Sequence, residues 1–135
     1  MKTKILIILS LFCFAAHADK TKSISGTVKL DKKFQSALTK SSVLFIFAKK
    51  IVGPKGPPAA VVRIASPKFP LKYSLSAANA MIPGTPFDGP FALTARLTSG
   101  GNALQKEGSY EGILSSKKGI LVGTEKNIII INKAR

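Results

Sequence analysis

Histidine and cysteine are all but missing from this sequence: one of each, His17 and Cys13, occurs in 135 residues. Both lie in a stretch that reads as an export leader, so the exported chain is expected to have neither. That removes the usual general base, the thiol nucleophile and the common soft metal ligands together. Acid is scarce as well. Asp19, Asp31, Asp88, Glu107, Glu111 and Glu125 are scattered without a paired motif, and the many serines have no histidine to deprotonate them. Met81 is the one thioether left once Met1 is removed, and a single thioether does not hold a metal. No enzyme activity, metal site or cofactor is expected. What remains must act through shape, charge and backbone.

A long membrane-spanning run is also lacking. Residues 5–16 form an apolar stretch of 12 residues broken only by Ser10, whereas a helical span needs roughly 20. Lys2 and Lys4 precede it and Ala16-His17-Ala18 follows, which is the pattern of a signal peptide over residues 1–18 cut ahead of Asp19. Ser10-Leu11-Phe12 before Cys13 is too bulky for a lipidation site. Removing 18 of 135 residues leaves 117, residues 19–135. A chain of that size makes one domain and buries about two thirds of its unfolded surface. With no cysteine left to form a disulfide, its stability must come from apolar packing.

Charge is what this chain has in excess. Lysine and arginine number 21 against 6 acids, a formal charge of +15, or +13 after Lys2 and Lys4 are removed. Such a surplus favours acidic partners: anionic lipid or lipopolysaccharide, acidic proteins, carboxylate-bearing ligands. The lysines are dispersed, with doublets at Lys32-Lys33, Lys49-Lys50 and Lys117-Lys118 but no longer tract. Nucleic acid is not an expected partner, because Phe34, Phe45, Phe47, Phe69, Phe87, Phe91, Tyr73 and Tyr110 mostly fall where a core needs them, leaving no stacking platform. Export also separates the protein from cytoplasmic DNA and RNA.

Apolar residues recur with period two, and clusters of Gly, Pro, Ser and Asn separate the runs, as in half-buried strands joined by turns. Ile24, Gly26, Val28 and Leu30 share one face; so do Phe69, Leu71, Tyr73 and Leu75, and again Phe91, Leu93, Ala95 and Leu97. Two runs, 43–48 and 128–131, are apolar on both faces and are expected as central strands covered on each side. Segments 59–65 and 120–122 bring the count to about seven strands, and residues 34–38 suggest one helical turn. The expected fold is all-β: a single immunoglobulin-like sandwich of two packed antiparallel sheets, with 128–131 as an integral closing strand.

Two features stand out as sites. The loop Gly53-Pro54-Lys55-Gly56-Pro57-Pro58 is stiffened by its prolines and has little entropy to lose on binding, which suits it, with Met81 and Pro83 in the following Met81-Ile82-Pro83-Gly84 loop, to receive a protein partner. Arginine is rare, and its planar fork suits a bidentate carboxylate. Arg96 or Arg63 is therefore expected to pair with Glu111 across strands, or else to receive a carboxylate from a peptide terminus or a haem propionate.

The segments Val43-Leu44-Phe45-Ile46-Phe47-Ala48-Lys49, Gly56-Pro57-Pro58-Ala59-Ala60-Val61-Val62-Arg63, Ala80-Met81-Ile82-Pro83-Gly84, Thr94-Ala95-Arg96-Leu97-Thr98-Ser99-Gly100-Gly101-Asn102-Ala103 and Gly108-Ser109-Tyr110-Glu111-Gly112 occur in one order at compatible spacing. In this the chain resembles the C-terminal immunoglobulin-like domain of cytochrome c-type biogenesis protein H, also called CcmI or CycH. Full-length members carry transmembrane helices and a tetratricopeptide region ahead of that domain and present apocytochrome c to the haem-ligating machinery in the periplasm. The resemblance implies a periplasmic binding or assembly module whose protein partner is apocytochrome c or a maturation component, held through a sheet edge or through the proline and Met81 loops. The basic surplus supports a different reading, an envelope protein held to an anionic membrane surface. The protein recovered from the periplasm should have the intact mass of a chain starting at Asp19; a mass including Met1 contradicts the leader.

Overall fold

The computed structural model describes residues 22–135, so the leader assigned to residues 1–18, with Cys13 and His17, lies outside the described residues. Strands β1 (Ser23–Leu30), β2 (Val43–Lys50), β3 (Ala60–Ala65), β4 (Leu71–Ser76), β5 (Phe91–Thr98), β6 (Tyr110–Leu114), β7 (Asn127–Ile131) and β8 (Lys133–Ala134) form two sheets. The orders are β4-β1-β7 and β3-β2-β5-β6-β8. A short 3-10 helix, Lys32–Ala37, takes the place of the expected helical turn, with the Asp31 side chain accepting from the Lys33 backbone N–H at its start. No helix among the described residues is long and apolar enough to cross a membrane.

Alternation explains the core. Leu44, Ile46 and Ala48 of β2 and Phe91, Leu93, Ala95 and Leu97 of β5 point inward and meet Ile24, Val28 and Leu30 of β1, Tyr73 and Leu75 of β4, and Ile129 and Ile131 of β7. Each Val, Leu, Ile or Phe among them contributes about 1.5–3 kcal/mol by leaving water. The sandwich expected from the sequence is present. One pair departs from antiparallel order: β1 and β7 run parallel, Val28 opposite Ile129 and Leu30 opposite Ile131.

Two strand expectations need correction. Residues 128–131 are not a central strand, because β7 ends the three-stranded sheet and, among the described residues, no further layer covers that sheet's outer side. Ile129 and Ile131 are buried, but Ile128 and Ile130 remain 44% and 48% exposed. Residues 120–122 form no strand and make only a single bridge, Ile120 to Phe91, between turns that use positive φ at Gly119 and Gly123. The strand on the side of β5 away from β2 is β6, with Arg96 opposite Glu111 and Ala95 opposite Gly112.

Two glycines allow the sheets to close. A Cβ on Gly112 would overlap the Ile130 carbonyl, and a Cβ on Gly26 would overlap that of Asn127. β7 therefore runs against β6 while bonded to β1. Beyond Ile131 the chain passes into the other sheet, with Asn132 N–H donating to Glu111 O at 3.2 Å and Arg135 N–H to Ser109 O at 3.1 Å. At the start of β7 the buried Tyr73 hydroxyl donates to Asn127 O at 2.8 Å, and the Asn127 amide donates to Ser25 O at 3.0 Å.

Gly112→Ala should cost about 3 kcal/mol, at the top of the overpacking range because backbone rather than a movable side chain obstructs the methyl; denaturant titration measures it. Burial raises the Tyr73 phenol above its ordinary value of 10.0. The folded state thus holds the proton more tightly than the unfolded state. Its contribution is complete below about pH 10 and declines as the pH rises toward the folded value. Tyr73→Phe should lower stability at pH 7 by about 1 kcal/mol, the scale of one hydrogen bond. Its gap to wild type should shrink above pH 10, and a constant gap in pH-dependent melts would contradict this.

Candidate partner-binding site

The outer face of the five-stranded sheet carries the second set of alternating residues. Arg96 of β5 and Glu111 of β6 are cross-strand neighbours there, as expected, with Arg96 Nη2 at 3.3 Å from Glu111 Oε2. Arg63 is not part of this pair. It lies on β3 opposite Phe45, with β2 and β5 between it and β6, and it is exposed. The second cation on Glu111 is Arg135, whose Nε is 3.5 Å from the same oxygen. Sequence reasoning missed it because the chain's return to β6 after β7 is a tertiary feature.

One carboxylate thus orients two guanidinium groups, and their remaining N–H groups hold a loop. Arg96 Nη1 donates to Ala103 O at 2.8 Å and Arg135 Nη1 to Gln105 O at 2.7 Å. The Arg96 guanidinium also lies over the Phe47 ring, 5.2 Å from its centre, while its Nε is buried without a partner. Loop 99–109 is braced internally as well: Leu104 N–H donates to Asn102 Oδ1, Gln105 Nε2 to Ser99 Oγ, and Ser109 Oγ–H to Lys106 O. The loop stands as a fixed wall with Leu104 at its top, 82% exposed.

The opposite wall comes from the two loops singled out in the sequence. Met81 N–H donates to Ala59 O at 3.2 Å and Ala60 bridges Ala80, which ties the Met81 loop to the end of the proline loop. Between the walls lies an open groove of about 410 Å³ with Phe47, Thr94 and Arg96 as its floor and Pro58, Met81 and Leu104 at its sides. Lys49 and Pro58 are shared with a neighbouring hollow of about 220 Å³ that Pro54, Pro57 and Ile82 also line. Pro83 lines neither. No Asp or Glu is among the described residues lining either hollow. Lys50, on the smaller one, is 2.7 Å from Asp88, and its hydrogen bond holds that carboxyl below the ordinary value.

The arrangement suits binding. Met81, Ile82 and Leu104 are large apolar side chains that stay more than half exposed, and a pre-formed apolar groove with a fixed cation can take a partner side chain without reorganising. Phe47 and Leu104 were not singled out from the sequence. Phe47 was hidden in a run apolar on both faces, whereas an isolated leucine in the polar stretch 99–109 was a signal available to be read. Among the described residues no three His, Cys, Asp or Glu are placed to hold a metal ion.

The fold and this face define an immunoglobulin-like β-sandwich with an open groove, and comparison with known proteins gives it a family. The model of the cytochrome c-type biogenesis protein H Ig-like domain matches residues 24–132, and the chain belongs to that family. An uncharacterized protein of Aquifex aeolicus (strain VF5) is 28% identical over 114 residues, 84% of this chain and 73% of that protein. Among solved structures, an alternative pilotin from the type II secretion system of Vibrio cholerae aligns with 84% of this chain and 98% of its own at a TM-score of 0.52 and 16% identity, a likeness of fold alone.

Glu111→Gln should leave two cations around a neutral amide. A stability loss of about 1–3 kcal/mol is expected, with faster proteolytic cleavage at Lys106 in the freed loop. A wild-type cleavage rate would show that the arginines do not hold the wall.

Proposed function

We propose that this chain is an exported periplasmic assembly module, residues 19–135 behind a leader of residues 1–18, that makes protein–protein contacts in the maturation of c-type cytochromes. It acts by recognition and carries out no chemistry of its own. Membership of the cytochrome c-type biogenesis protein H Ig-like family supports the pathway. The observation that carries the reading is the groove: its walls are fixed by the Glu111 clamp and by the Met81 N–H to Ala59 O bond, and its large apolar side chains Met81 and Leu104 stay more than half exposed.

In this reading a partner segment lays an apolar side chain on Phe47 between Met81 and Leu104, while Arg96 and Lys49 face its polar groups. The partner is apocytochrome c or a component that handles it. Acidic groups beside the apolar anchor favour binding, because the groove offers cations and no acid.

Affinity capture from cell envelopes tests this. The wild-type chain should recover apocytochrome c or a maturation component. Leu104→Asp and Met81→Asp, both at exposed positions that leave the core intact, should weaken recovery by roughly 30-fold each, the scale of an interface anchor at about 2 kcal/mol. A deletion strain should hold less c-type cytochrome. Capture that returns no such protein, together with normal cytochrome levels in the deletion strain, would reject the assignment.

A further inference from the structure

The outer face of the three-stranded sheet has a different chemistry. By register, Lys72 of β4, Thr27 of β1 and Ile128 of β7 sit side by side on it, and Lys29 sits beside Ile130. The two isoleucines are the ones left 44% and 48% exposed at the end of the sheet. Two hollows accompany them. One, of about 490 Å³, is lined by Lys72 and Lys126 with the hydroxyls of Ser25, Thr27 and Ser74; the other, of about 240 Å³, is lined by Lys29 and Lys32. Among the described residues Glu125 is the one acid lining either hollow.

We propose that this face rests on an anionic bilayer, with lipid phosphates entering the two lysine-lined hollows and Ile128 and Ile130 reaching the boundary of the acyl chains. Lysine ammonium groups on long stems, hydroxyls and two projecting aliphatic side chains are the components of an interfacial site, in which apolar burial and attraction to anionic headgroups add. Charge complementarity selects this occupant over a second copy of the chain, because a self-complementary contact through the isoleucines would bring Lys29 and Lys72 against their own images. The excess of 21 basic over 6 acidic residues acts in the same direction. The outer faces of two packed sheets point in opposite directions, so a bilayer on this side leaves the groove facing away from it. The inference does not depend on what the groove binds.

Co-sedimentation of the full chain with phosphatidylglycerol–phosphatidylcholine vesicles, against phosphatidylcholine alone, tests it. The leader, where present, with its Lys2 and Lys4, contributes equally to every variant, so the reading is the salt-sensitive, anion-dependent part of each variant compared with that of wild type. That part should be strong when the Debye length is about 30 Å and be lost when it is about 3 Å. Lys29→Gln and Lys72→Gln should each weaken it by roughly fivefold, the scale of one lysine at an anionic surface. Ile128→Ser with Ile130→Ser should weaken it further at a temperature where the variant's melting curve shows it fully folded. Lys55→Gln, on the proline loop, should leave it unchanged. A folded wild-type chain that ignores anionic vesicles at low salt overturns the proposal. So does equal weakening by Lys55→Gln, or isoleucine variants that change the oligomeric state while vesicle binding stays as it was.

Discussion

Strand β7 runs so close to β6 that one added methyl at Gly112 would strike the Ile130 carbonyl. This approach is the constraint on which the remaining architecture depends. β7 is bonded to β1 in one sheet, and beyond Ile131 the same chain bonds to β6 in the other. The sandwich is stitched shut along that side by continuous backbone, without a disulfide, and a β7 edge rich in isoleucine is turned toward β6 rather than left as a template for aggregation. Gly26 and the Tyr73 hydroxyl fix where β7 begins.

The candidate site follows from that closure. Only because the chain returns to β6 does Arg135 reach Glu111, and only with both arginines in place are the carbonyls of Ala103 and Gln105 held over the sheet. The cost of a partly buried carboxylate is offset by two cations, and the product is a rigid loop rather than a reactive group. The wall it forms and the wall made by Pro58 and Met81 leave Phe47 open between them. In the proposed reading stability and recognition therefore share residues, and a change at Glu111 acts on both.

Much of the sheet interior was legible in the sequence because strand alternation is local. Ile24, Val28 and Leu30 and the Phe91 to Leu97 series read as one face each and are buried as one face. The Arg96–Glu111 pair was legible from residue type, since an isolated arginine and a carboxylate in a lysine-rich chain suggest a fork meeting its match. What local pattern does not encode is which sheet a strand joins. Ile128 to Ile131 read as doubly covered because all are apolar, yet cover on the outer side depends on a neighbouring layer that a three-stranded sheet lacks. Arg63 fell outside the pair for the same reason: its residue type was right, but two strands, β2 and β5, lie between its strand and β6.

The central claim is that the groove beside Leu104 meets a specific protein in the cell envelope. A photo-crosslinking residue substituted at Leu104, compared with one at Ser74 on the opposite sheet, tests it most directly. The account predicts a discrete adduct with an apocytochrome c or a maturation component from position 104 and none with that protein from position 74. No adduct at 104, or the same adducts from both positions, would contradict it.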